Sequence, residues 1–317
     1  MKISLIDIIE QKILNLSEEL FDTLLKDRTT QKNICWATEC YISHGKSYYP
    51  QEPILKDLIT GFNTNIIHPR AAKISEDKAR RTKDKAEVFT PSWICNEQNN
   101  LVDEAWFGRK DVFNISINNT WITNKSLIKF PDNKTWKNYI DSKRLEISCG
   151  EAPYLVSRYD TVTGKEIPLE ERIGLLDRKL RIVNENTHNE EDWFFWTKRA
   201  YESIYGYEYQ GDSLLLAREN LFYTFIENME YKFSHKPNEK QLKIIAKIIS
   251  WNIWQMDGIT MTVPFSERSR EKKQLSIFEN IIENDYLDKE PIPCKIYDWR
   301  ANKSIEFRNI IKGGKDI

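Results

Sequence analysis

The chain has 317 residues, with 47 Lys and Arg against 48 Asp and Glu and a formal net charge of -1. That length can bury the core of a large α/β domain. The balanced charge excludes a uniformly basic nucleic-acid binder, so any such contact must come from a local patch.

Cys35, Cys40, Cys95, Cys149 and Cys294 are odd in number and scattered, with no CxxC pair or His cluster at zinc spacing. Cys35 and Cys40 could be ligands. The expectation for all five is free thiols in a reducing cytosol. The amphipathic start is interrupted by Asp7, Glu10 and Lys12, unlike a signal peptide. No apolar run reaches the roughly 18 residues of a membrane span, so a cytoplasmic protein with no membrane partner is expected.

Residues 1 to 30 carry Leu5, Ile8, Ile9, Ile13, Leu14, Leu20, Phe21 and Leu24 at helical spacing. This apolar face must pack on the chain's own core or on a partner, and the pattern does not separate the two. Residues 31 to 67 mix aromatics with turn signals. The next stretch is the most basic of the chain, with Arg70, Lys73, Arg80, Arg81 and Lys83 among its cations. It reads as a solvated face or as a strip that contacts DNA phosphates. Phe89-Thr90-Pro91 follows, and Pro91 or Ser92 opens a helix through Leu101. Val102 to Phe107 and the surroundings of Trp121 and Trp136 read as loops and short strands.

The run Leu145-Glu146-Ile147-Ser148-Cys149-Gly150-Glu151-Ala152-Pro153 places a strand end, small residues and a proline in sequence. A strand, a turn at Gly150 and a helix opening at Pro153 are expected, and amides at such a helix start bind anions. An ordinary strand-to-helix turn is the competing reading. It departs from the dinucleotide fingerprint, since one glycine is present and Glu146 stands four residues before it.

Further on, an insertion and a helix over 170 to 180 are expected, then a polar surface loop over 186 to 192. An aromatic, β-branched strand ends near Glu208, and a helix covers 213 to 231. An acid at such a strand end is where a doubly wound fold holds ribose hydroxyls. A helix from Pro237 to Trp254 follows, with its stop at Gly258. Cys294 to Asp298 reads as a strand, with Trp299 beside its end.

The phrases "EVFTPSWICNEQNNLVDEAWFG", "EISCGEAPYLVSRYDTVTG", "GYEYQGDSLLLAREN" and "IISWNIWQMDG" resemble the N6-adenine DNA methyltransferases. They look especially like the proteins called subunit M of restriction systems, over roughly residues 80 to 300. The resemblance implies a class I (Rossmann-like) S-adenosyl-L-methionine-binding α/β fold. Phe89, Thr90 and Pro91 would close over the methionine carboxylate, with Glu146, Cys149, Gly150, Glu151, Ala152 and Pro153 around the methionine end. Glu208 would take the ribose. Asp298 with Trp299 would hold the adenine, with Asp257 as the alternative to Asp298. Ala152 departs from the family's second glycine.

The family's catalytic Asn/Asp-Pro-Pro-Tyr/Phe loop has no counterpart here, and 262 to 265 lacks the residues for it. An adenine amine is a poor nucleophile and needs side-chain and carbonyl acceptors plus an aromatic face for the flipped base. The chain stops about where a linker into that strand would begin. The resemblance therefore implies a split enzyme of a restriction-modification or related defence system. A second methyltransferase subunit would supply the catalytic loop and complete the sheet, with double-stranded DNA as substrate. A catalytically inactive methyltransferase-fold binding or scaffold module is the other reading. The expected organisation is a helical N-terminal region, 1 to 80, with the basic strip at its end. A cofactor domain, 81 to 317, follows, with an insertion near 157 to 200.

Overall fold

The computed structural model describes residues 10–72, 90–266 and 290–313. The N-terminal apolar pattern forms two helices, α1 (Glu10–Leu16) and α2 (Glu18–Leu25), and not one long one. Ser17 breaks the helix by adopting extended backbone, φ -173°, while Glu18 and Glu19 suit the positive end of α2. Leu20, Phe21, Leu24 and Leu25 are fully buried in the chain's own core, which answers where this face packs. From 26 to 72 the chain runs through loops and single 3-10 turns, so the N-terminal region is less helical than expected.

α3 (Ser92–Phe107) opens where Pro91 predicts it, but extends through the segment read as loop. It stops at Gly108, whose φ of +70° is the left-handed cap that glycine adopts without cost. The hairpin β1 (Asn114–Ile117) and β2 (Thr120–Thr123) follows, then α4 (Trp136–Asp141), which is capped by Thr135.

Three parallel strands lie at the centre: β3 (Arg144–Glu146), β4 (Ile204–Glu208) and β5 (Ile253–Gln255), with β4 in the middle. Glu146 pairs with Gly206, and Glu208 with Gln255, so the three C-terminal ends lie side by side. Between β3 and β4 come α5 (Leu175–Asn186) and α6 (Glu190–Glu202); between β4 and β5 come α7 (Gly211–Phe233) and α8 (Glu239–Asn252). α7 is buried on nearly all sides and is the central helix of the core.

β5 corrects the expectation of a helix to Trp254. Ile253 and Trp254 favour a strand, and the Asn252 side chain donates to the Tyr201 and Ile204 carbonyls, both at 2.9 Å, drawing the chain off the helix axis. A second correction concerns Pro153, which starts no helix. Ser148, Gly150 and Ala152 have φ of 48°, 53° and 62°, and this repeated left-handed backbone coils the segment into turns. The next helix begins at Leu175, so the expected start near 170 holds only a 3-10 turn. The polar loop after Asn186 shrinks to three residues, because Asn189 caps α6 by accepting the Asp192 amide.

The last described elements are a separate antiparallel hairpin, β6 (Lys295–Asp298) and β7 (Lys303–Glu306), and α9 (Phe307–Gly313). The whole is a mixed α/β fold with small sheets. Among the described residues no helix is long and apolar enough to cross a membrane.

Candidate functional site

The C-terminal ends of β3 and β4 open into a cleft of about 740 Å³. In open parallel sheets this is the edge at which ligands bind. Its walls come from the ends of β3 and β4, the 148–153 turns, α3 through Gln98, Asn99 and Val102, and the start of α7 through Gln210 and Ser213.

Glu146 leaves β3 pointing at the turns that follow it. Its carboxylate accepts the amides of Tyr154 at 3.3 Å and Leu155 at 3.1 Å. Glu208 leaves β4 in the same way and accepts the amides of Gly150 at 2.8 Å, Tyr209 at 2.9 Å and Gln210 at 3.1 Å. Each acid thus orders backbone around the cleft while keeping lone pairs for a ligand.

Both carboxyls sit above the usual range. Burial is the main cause for Glu146, the Glu208 charge adds to it, and the two amides work against it. Burial likewise raises Glu208, against its three amides. Burial and the two carboxylates also push up the Cys149 thiol between them. Two acids that resist ionisation in one cleft favour a ligand that brings positive charge or hydroxyl donors.

The turns are tied to the sheet. The Cys149 amide donates to the Tyr207 carbonyl at 2.8 Å. Gly206, below it on β4, has room for little: a Cβ there would stand 3.3 Å from Cys149 Sγ and from Ile253 Cδ1. Asn99 clamps the outer wall by donating to the Tyr154 and Ile173 carbonyls, both at 3.0 Å.

Of the residues expected from sequence, Thr90, Glu146, Cys149, Gly150, Pro153 and Glu208 line this cleft together. Pro91 stands just outside as the cap of α3. Glu151 turns away into the core, where it accepts the Tyr159 hydroxyl at 2.6 Å and the Arg70 amide at 2.7 Å. Arg70 is thereby anchored to the central turns through its backbone. Ala152 is fully buried beneath the turns.

Asp257 lies two residues beyond β5, outside the cleft lining, and caps a turn by accepting the Ile259 and Thr260 amides. Asp298 and Trp299 belong to the β6–β7 hairpin and not to the parallel sheet. Trp299 donates to Asn252, and the pair faces a small hollow with Lys143 and Ser203, which precede β3 and β4, at the opposite end of the sheet. Phe89, Lys73, Arg80, Arg81 and Lys83 lie outside the described residues.

Sequence reading passed over Tyr209, Gln210, Ser213 and the α3 wall, and it missed Gln255. Gln255 is 2% exposed; it accepts the Cys35 amide at 2.9 Å and donates to the Cys35 and Tyr209 carbonyls, both at 2.8 Å. An amide side chain inside the apolar run Ile253-Trp254-Gln255-Met256 was the available signal, because such a group is buried only when bonded.

Among the described residues no group of His, Cys, Asp and Glu is arranged to hold a metal ion. No family model, curated protein or solved structure matches the chain.

Proposed function

We propose that this chain is the S-adenosyl-L-methionine-binding subunit of a split DNA adenine-N6 methyltransferase, of a restriction-modification or related defence system. The observation that carries the reading is the convergence of Glu146 and Glu208, at the ends of adjacent parallel strands, on one cleft with Thr90 and the Gly150 turns.

The residues fit the cofactor. The cleft volume falls within the range of small-molecule sites, and the two acids match its ribose hydroxyls and its positive charges. On this reading Glu208 takes the hydroxyls, and Glu146, Gly150 and Thr90 take the methionine end. The bound cofactor supplies an electrophilic methyl group. The chain's own part is to bind and orient it. Acceptors for the target amine belong, on this reading, to the second polypeptide with its Asn-Pro-Pro-Tyr loop.

The β3 edge supports such a partner. Arg144 donates to the Ser203 carbonyl on the β4 side, so ladder alternation turns the Leu145 N–H and C=O outward. Among the described residues β3 pairs with β4 alone, and Leu145 and Ile147 are 46% and 66% exposed. Such an edge invites another strand. On β5, by contrast, Arg218 and Cys294 take the Ile253 and Gln255 carbonyls. The order β3-β4-β5, with helices between successive strands, supports the cofactor half of a class I methyltransferase sheet completed at β3.

Calorimetric titration of the full chain with S-adenosyl-L-methionine tests the proposal, with Glu208→Gln as control. Saturable binding that the variant loses supports it. No binding, alone or with the second subunit, sinks it and leaves the scaffold reading.

A further inference from the structure

We infer that the face formed by the end of α3 and by α4 is a docking surface for the phosphates of double-stranded DNA, separate from the basic strip that begins at Arg70. The inference rests on the proposed function for the kind of partner and on this face for its location.

Residues 109 to 144 carry eight Lys and Arg against three Asp. This excess stands within a chain whose overall charge is -1, so it is local. Its cations are also unneutralised. Arg109, Lys110, Lys129, Lys134 and Lys137 take part in no ion pair among the described residues. Elsewhere Arg158, Arg172, Arg178, Arg181 and Arg199 are each committed to an acid. The acids of this stretch are Asp111, Asp132 and Asp141, the last paired with Arg199 and Arg300, and with Glu104 before them they leave the excess positive.

Three of these cations, Arg109, Lys134 and Lys137, are held in place and not merely solvated. Arg109 donates to the Lys129 carbonyl at 3.0 Å, joining the end of α3 to the loop before α4. Lys134 lies 4.5 Å from the centre of the Trp106 ring and donates to the Trp106 carbonyl. Lys137, the second residue of α4, stands 5.2 Å from the Trp196 ring, which packs on Trp136 at 4.7 Å. Aromatic faces fix ammonium groups in this way. The lysines in turn cover part of the half-buried rings, beside the exposed Leu127 and Phe195. Unpaired positive charge is what phosphate docking uses, since phosphates position a duplex without reading its sequence.

The location suits a substrate. Val102 lines the cleft, α3 ends five residues further on at Phe107, about 7.5 Å at 1.5 Å per residue, and Arg109 follows directly after its Gly108 cap. A duplex on these cations would therefore pass beside the cleft mouth.

The test is fluorescence anisotropy of a short labelled duplex titrated with the full chain over a series of salt concentrations. It compares wild type with the triple variant Lys110→Ala, Lys129→Ala, Lys137→Ala, whose three side chains are exposed. The expected result is weaker binding by the variant and a salt slope shallower by roughly 3, about 1 per lost phosphate contact, equally for unrelated duplex sequences. Cofactor titration of the same variant is expected to match wild type. Loss of duplex binding without loss of cofactor binding supports the inference, and so does loss of duplex binding in a chain that never binds cofactor. Wild type that fails to bind duplex overturns it. So does an unchanged salt slope in the variant, or displacement of the duplex by polyglutamate at equal charge concentration, which would mark an acidic protein site.

Discussion

Replacing Glu208 with alanine removes the acceptor of three backbone amides at once, those of Gly150, Tyr209 and Gln210. An orphaned buried donor costs about 1–3 kcal/mol. All three residues border the cleft, but Gln210 is the buried one, so its amide has the least access to water. Loss of a carboxyl that burial already disfavours in its ionised form offsets part of the cost. The net expectation is about 2–4 kcal/mol of destabilisation. Glu208→Gln keeps one carbonyl oxygen, and Tyr209 and Gln210 share a single oxygen of the native side chain. Only the Gly150 amide then meets a donor, so glutamine is expected to cost about 1 kcal/mol. Urea unfolding of the free chain at neutral pH reads both, with the m-value unchanged. If Glu208→Ala unfolds at the wild-type midpoint, the carboxylate does not hold the turns to the sheet, and the account of the cleft's order is refuted.

Gln255→Leu orphans groups on Cys35 and Tyr209 together and is expected to cost about 2–4 kcal/mol, read by urea unfolding, with faster hydrogen exchange at the Cys35 amide. Gly211→Ala would place a Cβ 2.0 Å from the Cys35 carbonyl oxygen, against 3.3 Å for the nearest contact in Gly206→Ala. A drop of about 3 kcal/mol or more in the first and a smaller one in the second is expected from thermal unfolding. Glu146 has a folded-state pKa raised by burial. Its contribution to stability is complete below the unfolded value near about 4.3 and is lost as pH rises through the folded value. Glu146→Gln, which has no proton to lose, should therefore gain on wild type with rising pH in denaturation midpoints taken across that window. The opposite sign is expected for a cationic ligand of the wild type, whose affinity should rise with pH as the carboxyls ionise.

The local signals that the sequence carried well were those in which residue type acts through the backbone. The acids ending β3 and β4, the cap before α3 and the left-handed turn at Gly150 all follow from nearest-neighbour chemistry, and the acids and the turn meet in one cleft. The errors came where distant partners decide. Ile253-Trp254-Gln255 continues a helical pattern, and only the bonds from Asn252 to Tyr201 and Ile204 and from Gln255 to Cys35 make it the third strand. Taking Cys294 to Asp298 as the next strand was right about its conformation, since β6 ends at Asp298. It misjudged the sheet, because pairing is not written into a four-residue pattern. Ala152 and Glu151 were placed at the cofactor by their neighbours; the alternation of left-handed residues turns both inward.

The bond between Cys35 and Gln255 also sets a timetable. The two residues are 220 positions apart, and the second orders Tyr209 at the cleft. At about 5–20 residues per second of synthesis, the early segment waits roughly 10–45 s on the ribosome before its partner exists. Through that interval Trp36 has its near partners Tyr41 and Tyr48, but Cys35 beside it lacks Gln255. Chaperone demand should therefore fall on the amino-terminal segment of the nascent chain, and a truncation placed before residue 253 should leave that segment as its most exposed part.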